Sequence, residues 1–276
     1  MRRARITHRR TRLPSESSLP YHDFLYPLNV LTHVILREEG AVPYLHYGLF
    51  DDAHATLLEA QERSTAVLFD HLPAPPARLL DVGIGLGTTL DRLRRDGYAI
   101  TGITPDALQI AFARARFGND LPVLAVRFED LDRTVIGSLD GIFFQESSQY
   151  IPHQALFSRA EALLPPGGRL LILDEFATRP LHEPGALHQL ASLLANARDH
   201  GFELTAEQDY SADAAPTIDY FLERLPRYRH SIVAELHLTD RHVDELITSG
   251  RGYRALYEDG TYVYRLLDFR RIVREG

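Results

Sequence analysis

The strongest constraint on the fold is a short segment, residues 79–89, in which an apolar run ends in three closely spaced glycines. Its sequence is LLDVGIGLGTT, so Gly83, Gly85 and Gly87 follow Asp81 and precede a helix-like stretch. Glycine tolerates positive φ and lets a ligand approach the backbone where a Cβ would block it. The segment therefore predicts a strand, a tight turn and a helix, with the turn open to a ligand at the carboxyl edge of a sheet.

Strand-like and helix-like stretches alternate along the rest of the chain. The predicted strands span 78–83, 98–103, 122–128, 139–145, 169–174, a run from Gly201 and 261–272. The predicted helices between them span 87–96, 105–116, 153–164 and 184–200. Right-handed crossovers return successive strands to one sheet, so this order predicts parallel strands with helices on both faces. The expected fold class is α/β, a doubly wound seven-stranded Rossmann-like sheet with helical lid segments.

The regions that flank the core have a different character. Four prolines break residues 13–50 into short helices and turns, and the apolar spacing from Asp52 to His71 predicts one further helix. About fifty residues separate the last two predicted strands, more than a direct connection needs. We therefore expect a tail and helical lid at 1–75, a core at 76–212, a second helical lid at 213–258 and the last strand at 259–276.

Composition excludes several functions. The chain has no cysteine, which rules out disulfides, thiolate metal sites and a cysteine nucleophile. Its net charge of −8 argues against a nucleic-acid partner, and we interpret the six arginines of residues 1–12 as a solvated tail. No run approaches the roughly 20 apolar residues of a membrane span, so we expect a cytoplasmic protein with no membrane partner. No clustered His or Asp pattern predicts a metal site.

The glycine spacing bears on the ligand. A dinucleotide turn needs G-x-G-x-x-G, but the third glycine position is Thr88. The turn here is G-x-G-x-G preceded by Asp81. An acid beside bare backbone amides suits the ammonium and carboxylate of an amino-acid end better than it suits a diphosphate. A nicotinamide-dependent oxidoreductase is therefore disfavoured.

Several segments carry a family resemblance. LLDVGIGLG resembles the first motif of class I S-adenosylmethionine-dependent methyltransferases, and LLPPGGRLLILDEF at 163–176 resembles a later helix-turn-strand of that family. Three further segments are similar to a branch with tocopherol methyltransferases, natural-product sugar O-methyltransferases and, more distantly, cyclopropane fatty acid synthases: LHYGLF at 45–50, TGITPDALQIAFARAR at 101–116 and FFQESSQY at 143–150. The resemblance covers roughly residues 45–180. It implies a methyltransferase with S-adenosylmethionine as cofactor and a small molecule as acceptor.

The same resemblance implies cofactor contacts from the turn, the strand ends and the N-terminal element. They are Tyr47, Asp81, Gly83, Gly85, Gly87, Thr104, Gln109, Phe128, Glu129 and Gln145. Thr104 and Gln109 would hold the ribose, where most class I enzymes place an acid, and Phe128 and Glu129 would hold the adenine. Simpler roles remain open for single residues, since Asp81 could cap the turn, Phe128 could be core and Thr104 could cap a helix.

Candidates for the chemistry follow the fourth and fifth strands. In several relatives ESxxHM supplies a histidine base, but Tyr150 stands at that position here, and a neutral tyrosine is a poor base. Glu146 and Glu175 are the carboxylate candidates, each with a structural alternative. His46 and His182 could reach a substrate from the lid segments, although a lone loop histidine more often serves packing.

Alternatives to methyl transfer stay open at this point. Loss of the histidine suggests a cyclase-type enzyme that keeps the cofactor without transferring its methyl group, and a non-enzymatic binding module is the remaining option. The aromatic residues of 250–269 indicate either an apolar or aromatic acceptor or simple packing of the last strand: Tyr253, Tyr257, Tyr262, Tyr264 and Phe269. The acceptor, the methylated atom and the oligomeric state do not follow from the sequence.

Overall fold

A computed structural model of the chain describes residues 19–180 and 187–273. His182 and the arginine-rich residues 1–12 lie outside the described residues. The strands span Arg78–Val82 (β1), Ala99–Ile103 (β2), Val123–Leu124 (β3), Gly141–Gln145 (β4), Arg169–Ala177 (β5), Phe202–Asp209 (β6) and Tyr262–Arg271 (β7). The helices span Leu28–Glu39 (α1), Leu57–Phe69 (α2), Thr88–Arg95 (α3), Ala107–Phe117 (α4), Arg133–Ile136 (α5), His153–Leu163 (α6), Leu190–Asp199 (α7), Ser211–Ala214 (α8), Pro216–Glu235 (α9) and Asp240–Glu258 (α10).

The seven strands form one sheet in the order β3-β2-β1-β4-β5-β7-β6. The first five are parallel, whereas β7 lies antiparallel between β5 and β6. This confirms the expected α/β fold class, and it shows that the last strand runs against the others. The strand order reverses at β1, so the crevice between the carboxyl ends of β1 and β4 is where such a sheet binds ligands.

Both faces of the sheet are covered because successive strand residues point to opposite sides. In β5, Leu171 and Leu173 pack with α2, α3 and α4, whereas Leu170 and Ile172 pack with α6 and α7. All four side chains are at most 1% exposed. A buried two-sided strand of this kind explains the continuous apolar run of the sequence at 170–173.

A third apolar cluster joins the two lid segments. Val34 of α1 packs with Ile232 of α9 and with Val243 and Ile247 of α10, and this cluster also contains Leu86 of the glycine turn. Helices α1, α9 and α10 therefore pack against one another and against the glycine turn at the carboxyl end of β1. Among the described residues, no helix is long and apolar enough to cross a membrane.

Two strands, the third and the fifth, differ most from the sequence prediction. The predicted third strand, 122–128, is reduced to Val123–Leu124, and Phe128–Asp130 forms a 3-10 turn instead. The fifth strand continues to Ala177 because β7 pairs with it over nine residues. Glu175 therefore lies within β5, opposite Tyr264, and not at the end of the strand as predicted.

Candidate active site

A cavity of about 480 Å³ opens at the carboxyl edge of the sheet, at the point where the strand order reverses. Its walls come from the turn after β1, the ends of β2 and β4, the 3-10 turn at Phe128–Asp130 and the N-terminal segment 43–46. The volume falls within the ~300–1,000 Å³ of typical small-molecule sites. Most of the predicted cofactor residues lie on this wall: Asp81, Gly83, Gly85, Thr104, Gln109, Phe128, Glu129 and Gln145.

Asp81 is the most unusual group on this wall. It is 3% exposed, and its Oδ2 atom has no hydrogen-bond partner among the described residues. Burial raises the pKa of the Asp81 carboxyl to about 7. A buried carboxylate without a partner is costly, so the protein keeps here a site for a cation or a hydrogen-bond donor. This contact pattern does not fit the alternative of a turn-capping residue.

The three glycines of the turn all have positive φ, but they have different neighbours. A Cβ on Gly83 would lie 2.5 Å from Cβ of Ser147, and one on Gly87 would lie 2.7 Å from Cβ of Ala113. A Cβ on Gly85, by contrast, would meet only Leu45, at 3.9 Å. Gly83 and Gly87 therefore allow close packing within the protein, and Gly87 does not line the cavity. Gly85 alone keeps open space at the ligand side of the turn.

Thr104 and Gln109 lie together at the end of β2. The Thr104 hydroxyl donates to Oε1 of Gln109 at 3.1 Å and accepts from the backbone N–H of Asp106 at 3.2 Å. Asp106, not Thr104, caps α4, because its carboxylate accepts from the N–H groups of Leu108 and Gln109. The helix-cap alternative for Thr104 is therefore wrong. The pair presents hydroxyl and amide groups to the cavity.

Phe128 and Gln145 both line the cavity. Phe128 is 2% exposed and packs edge-on against Phe144 with ring centroids 5.2 Å apart, so it belongs both to the core and to the wall. The main-chain carbonyl of its neighbour Glu129 accepts from Arg159. Gln145 donates from Nε2 to Ser64 Oγ at 3.4 Å. The cavity wall thus contains both an aromatic ring and polar groups.

Glu146 follows β4 and has a strained backbone with φ of +54°. Its Oε1 atom accepts hydrogen bonds from the Tyr47 N–H at 2.6 Å and the Tyr264 hydroxyl at 2.7 Å. Loss of hydration and the nearby charge of Glu175 raise the pKa of Glu146 well above its ordinary value. Non-glycine residues at positive φ persist only where their surroundings hold them, and such residues concentrate at functional sites.

Glu175 does not reach the cavity. It is 5% exposed, and its two oxygens accept hydrogen bonds from the hydroxyls of Tyr253, at 2.9 Å, and Tyr257. Burial raises the pKa of Glu175 to about 7. Both tyrosines belong to α10, and Tyr262 packs against them. These aromatic side chains therefore connect α10 to β5 and β7. For these tyrosines the structure supports packing of the last strand, the second of the two interpretations given by the sequence.

Three other predicted residues have positions that limit their roles. The Tyr47 ring is stacked parallel to Tyr264, 6.1 Å between centroids, and does not line the cavity. Tyr150 lies at the cavity rim with 78% of its surface exposed. His46 donates from Nδ1 to the Tyr47 carbonyl, so its Nε2 accepts from Thr65, and burial lowers its pKa to about 4. With both nitrogens bonded within the protein, His46 is a neutral residue on the cavity wall, and its role in substrate binding stays a prediction.

Three residues shape this site through contacts that the sequence did not predict. Asp174 accepts from the N–H and the hydroxyl of Ser148 at 2.9 and 2.6 Å, which fixes the loop after Glu146. The Ser147 hydroxyl donates to the Val82 carbonyl and so ties that loop to β1. Tyr264 anchors Glu146. In the sequence, Asp174 stands beside the predicted Glu175, but no spacing indicates which distant groups these side chains contact.

The comparisons with known proteins agree with this geometry. Residues 80–172 match the family described as a methyltransferase domain. The chain is 29% identical over 249 residues to 27-O-demethylrifamycin SV methyltransferase of Amycolatopsis mediterranei (strain S699), a match that covers 82% of this chain and 89% of that protein. It is 27% identical to O-methyltransferase cnsE of Penicillium expansum, over 54% of this chain and 58% of that one.

The chain is an S-adenosylmethionine-dependent methyltransferase, with a methyltransferase domain at residues 80–172. Its cofactor is S-adenosylmethionine, and its acceptor is a small molecule. The cavity of this methyltransferase fits such a cofactor in two respects, since Asp81 has an unpartnered buried oxygen for an ammonium group and Gly85 leaves room beside the backbone. Within residues 19–180 and 187–273, no group of three or more His, Asp or Glu side chains could hold a metal ion.

A solved structure extends the comparison to the whole fold. The methyltransferase superposes on the crystal structure of the [4+2]-cyclase SpnF with a TM-score of 0.71 and 24% identity, over 88% of this chain and 94% of that one. This likeness concerns the fold alone.

Proposed function

We propose that the methyltransferase transfers its methyl group to a hydroxyl of a small natural-product acceptor, with Glu146 accepting the hydroxyl proton. Of the two relatives described above, one is an O-methyltransferase by name, and the name of the other gives 27-O-demethylrifamycin SV as its substrate. This is the same chemistry as that of the sugar O-methyltransferases in the branch that the sequence resembles. The observation that carries the proposal is the position of Glu146, an anchored carboxyl group on the wall of the cofactor cavity.

Different residues of the cavity would bind different parts of the cofactor. Asp81 would receive the ammonium group, Thr104 and Gln109 the ribose hydroxyls, and Phe128 the face of the adenine. S-adenosylmethionine supplies a methyl group that is activated by the positive charge on its sulfur. What remains for the protein is to hold the acceptor in line with that methyl group and to exclude water.

Glu146 has the properties of a base for this step. Its Oε1 atom is held by Tyr47 and Tyr264, which fixes the orientation of the carboxyl group and leaves Oε2 for the acceptor. A raised pKa makes an ionised carboxylate a stronger base, and enzymes tune glutamates in this way for proton transfer near neutrality. Tyr150, which replaces the family histidine, is largely exposed at the rim and is a poorer candidate.

The experiment is a product assay with S-adenosylmethionine and a panel of acceptors that differ only in a hydroxyl, an amine or a thiol at one position. We expect S-adenosylhomocysteine and O-methylated product in equal amounts for the hydroxyl compound. Glu146→Gln should lower kcat by about 10²–10⁴-fold, the usual contribution of a general base. Glu223→Gln, whose side chain is 74% exposed on α9, is the control.

Two outcomes would contradict the proposal. Methylation of the amine or thiol analogue with no turnover of the hydroxyl compound would exclude O-methylation. Conversion of a substrate without any S-adenosylhomocysteine would indicate the cyclase-type alternative, which the fold also supports in SpnF.

A further inference from the structure

Glu146 is surrounded by groups that oppose its ionisation. Glu175 and Asp174 face it from β5, and the phenol groups of Tyr264, Tyr47 and Tyr150 face it from β7, the N-terminal segment and the loop after β4. All of these groups are acids or phenols. Among the residues that the structure describes, a negative charge on Glu146 therefore has no positive partner in this neighbourhood, and the hydrogen bonds from Tyr264 and Tyr47 stabilise it.

The two glutamates differ in how well they tolerate a charge. Glu175 accepts one tyrosine hydroxyl on each of its oxygens, whereas both hydrogen bonds of Glu146 fall on a single oxygen. Two neighbouring carboxyl groups do not ionise independently, so the better-solvated one loses its proton first. Glu175 is therefore the first to ionise, and its charge keeps a proton on Glu146.

The cavity of this enzyme receives a ligand that carries the missing positive charge. Asp81 accounts for the ammonium group, which is present in both the methyl donor and the demethylated product. The sulfonium charge is present only in the donor. Gln145, Glu146 and Ser147 line the same cavity as Asp81, so this second charge enters the space that Glu146 borders.

We propose that Glu146 is neutral in the ligand-free enzyme and loses its proton when S-adenosylmethionine binds, so that the base form exists only beside a sulfonium. S-adenosylhomocysteine, which lacks the positive sulfur, leaves Glu146 protonated. The donor therefore prepares the base for its own reaction. This inference deepens the proposed function and depends on it only for the identity of the proton that Glu146 later accepts.

The reaction is then balanced in charge at the site. The bond between sulfur and the methyl carbon breaks and its electron pair stays on sulfur, while the acceptor oxygen forms a bond to the methyl carbon. The hydroxyl proton passes to Glu146. The site loses the sulfonium charge and the carboxylate charge in the same turnover, so the product complex contains a neutral thioether beside a neutral Glu146.

The test measures protons and needs no turnover. Isothermal titration calorimetry of S-adenosylmethionine and of S-adenosylhomocysteine, each in several buffers of different ionisation enthalpy, gives the number of protons released on binding. We expect the donor to release more protons than the product, by up to about one per site, and its affinity to rise by up to about tenfold per pH unit below the titration of Glu146. Asp81 cancels from the comparison because both ligands carry the same ammonium group.

Two variants separate the proposal from a merely structural role of the cluster. Glu146→Gln should abolish the excess proton release while both ligands still bind. Glu175→Gln keeps an amide oxygen to accept from one of Tyr253 and Tyr257 and an N–H group to donate to the other, and it should move the pH at which the excess appears to lower values. Equal proton release by the two ligands in the wild-type enzyme, or an excess that survives Glu146→Gln, would overturn the proposal. Neither result would bear on O-methylation, which the product assay tests separately.

Discussion

Gly85→Ala separates the cost of folding from the cost of ligand binding at the glycine turn. The new Cβ would lie 3.9 Å from Leu45, which is an ordinary contact. The stability of the ligand-free protein is therefore lowered only by the backbone strain of a side chain at φ of +51°. That strain amounts to ~1–2 kcal/mol. In the ligand complex the same methyl group fills space that the cofactor needs, and overpacking of this kind costs a further ~1–3 kcal/mol. The affinity for S-adenosylhomocysteine should therefore fall by about 5- to 150-fold.

The matched control is Gly97→Ala. Gly97 also has a positive φ, +91°, and a Cβ there meets nothing within 4 Å, but it precedes β2 at the opposite edge of the sheet. Both variants should lose similar thermal stability, about 2–4 °C for each kcal/mol. Only Gly85→Ala should lose affinity in calorimetry. An affinity unchanged by Gly85→Ala, or lowered equally by Gly97→Ala, would refute the assignment of the turn as the ligand site.

The remaining predictions concern buried charges. Asp81→Asn should weaken S-adenosylhomocysteine binding. It should also stabilise the ligand-free enzyme at pH 8, because the pKa of Asp81 is about 7 in the folded protein and about 4 in the unfolded chain, so the wild-type protein loses stability as the pH rises through this range. Urea unfolding of both proteins at about pH 4 and at pH 8, which gives the free energy of unfolding, checks this stability prediction. Asp268→Asn should cost ~1–3 kcal/mol of stability by leaving Arg169 and His71 without their buried partner, with the ligand affinity unchanged in calorimetry. Tyr257→Phe, which removes one donor from Glu175, should lower the unfolding free energy by ~1–3 kcal/mol.

The sequence predicted the parts of the structure that depend on local pattern. The apolar runs of β1, β4 and β5 and the glycines of the turn are properties of short segments. They predicted a ligand site at the edge of the sheet where the structure has its cavity. Strand bounds failed where tertiary pairing decides them. β7 extends β5 to Ala177, and the lack of further pairing partners leaves β3 at Val123–Leu124.

The roles of single side chains were harder to predict because their partners are distant in the sequence. Gly83 and Gly87 are required by Ser147 and Ala113, which the turn itself does not reveal. Glu175 has the spacing of a site residue, yet its partners lie about eighty residues later in α10. The sequence predicted that His46, in a loop, could reach a substrate, but the hydroxyl of Thr65 in α2 is bonded to its second ring nitrogen.

The most direct test is a crystal structure of the enzyme with S-adenosylhomocysteine. The ligand's ammonium group should lie within hydrogen-bond distance, about 2.7–3.2 Å, of Asp81 Oδ2, with its amino-acid end against the backbone of Gly85 and its sulfur on the side of Glu146. A ligand bound elsewhere, or bound in this cavity with Asp81 still unpartnered, would contradict the account.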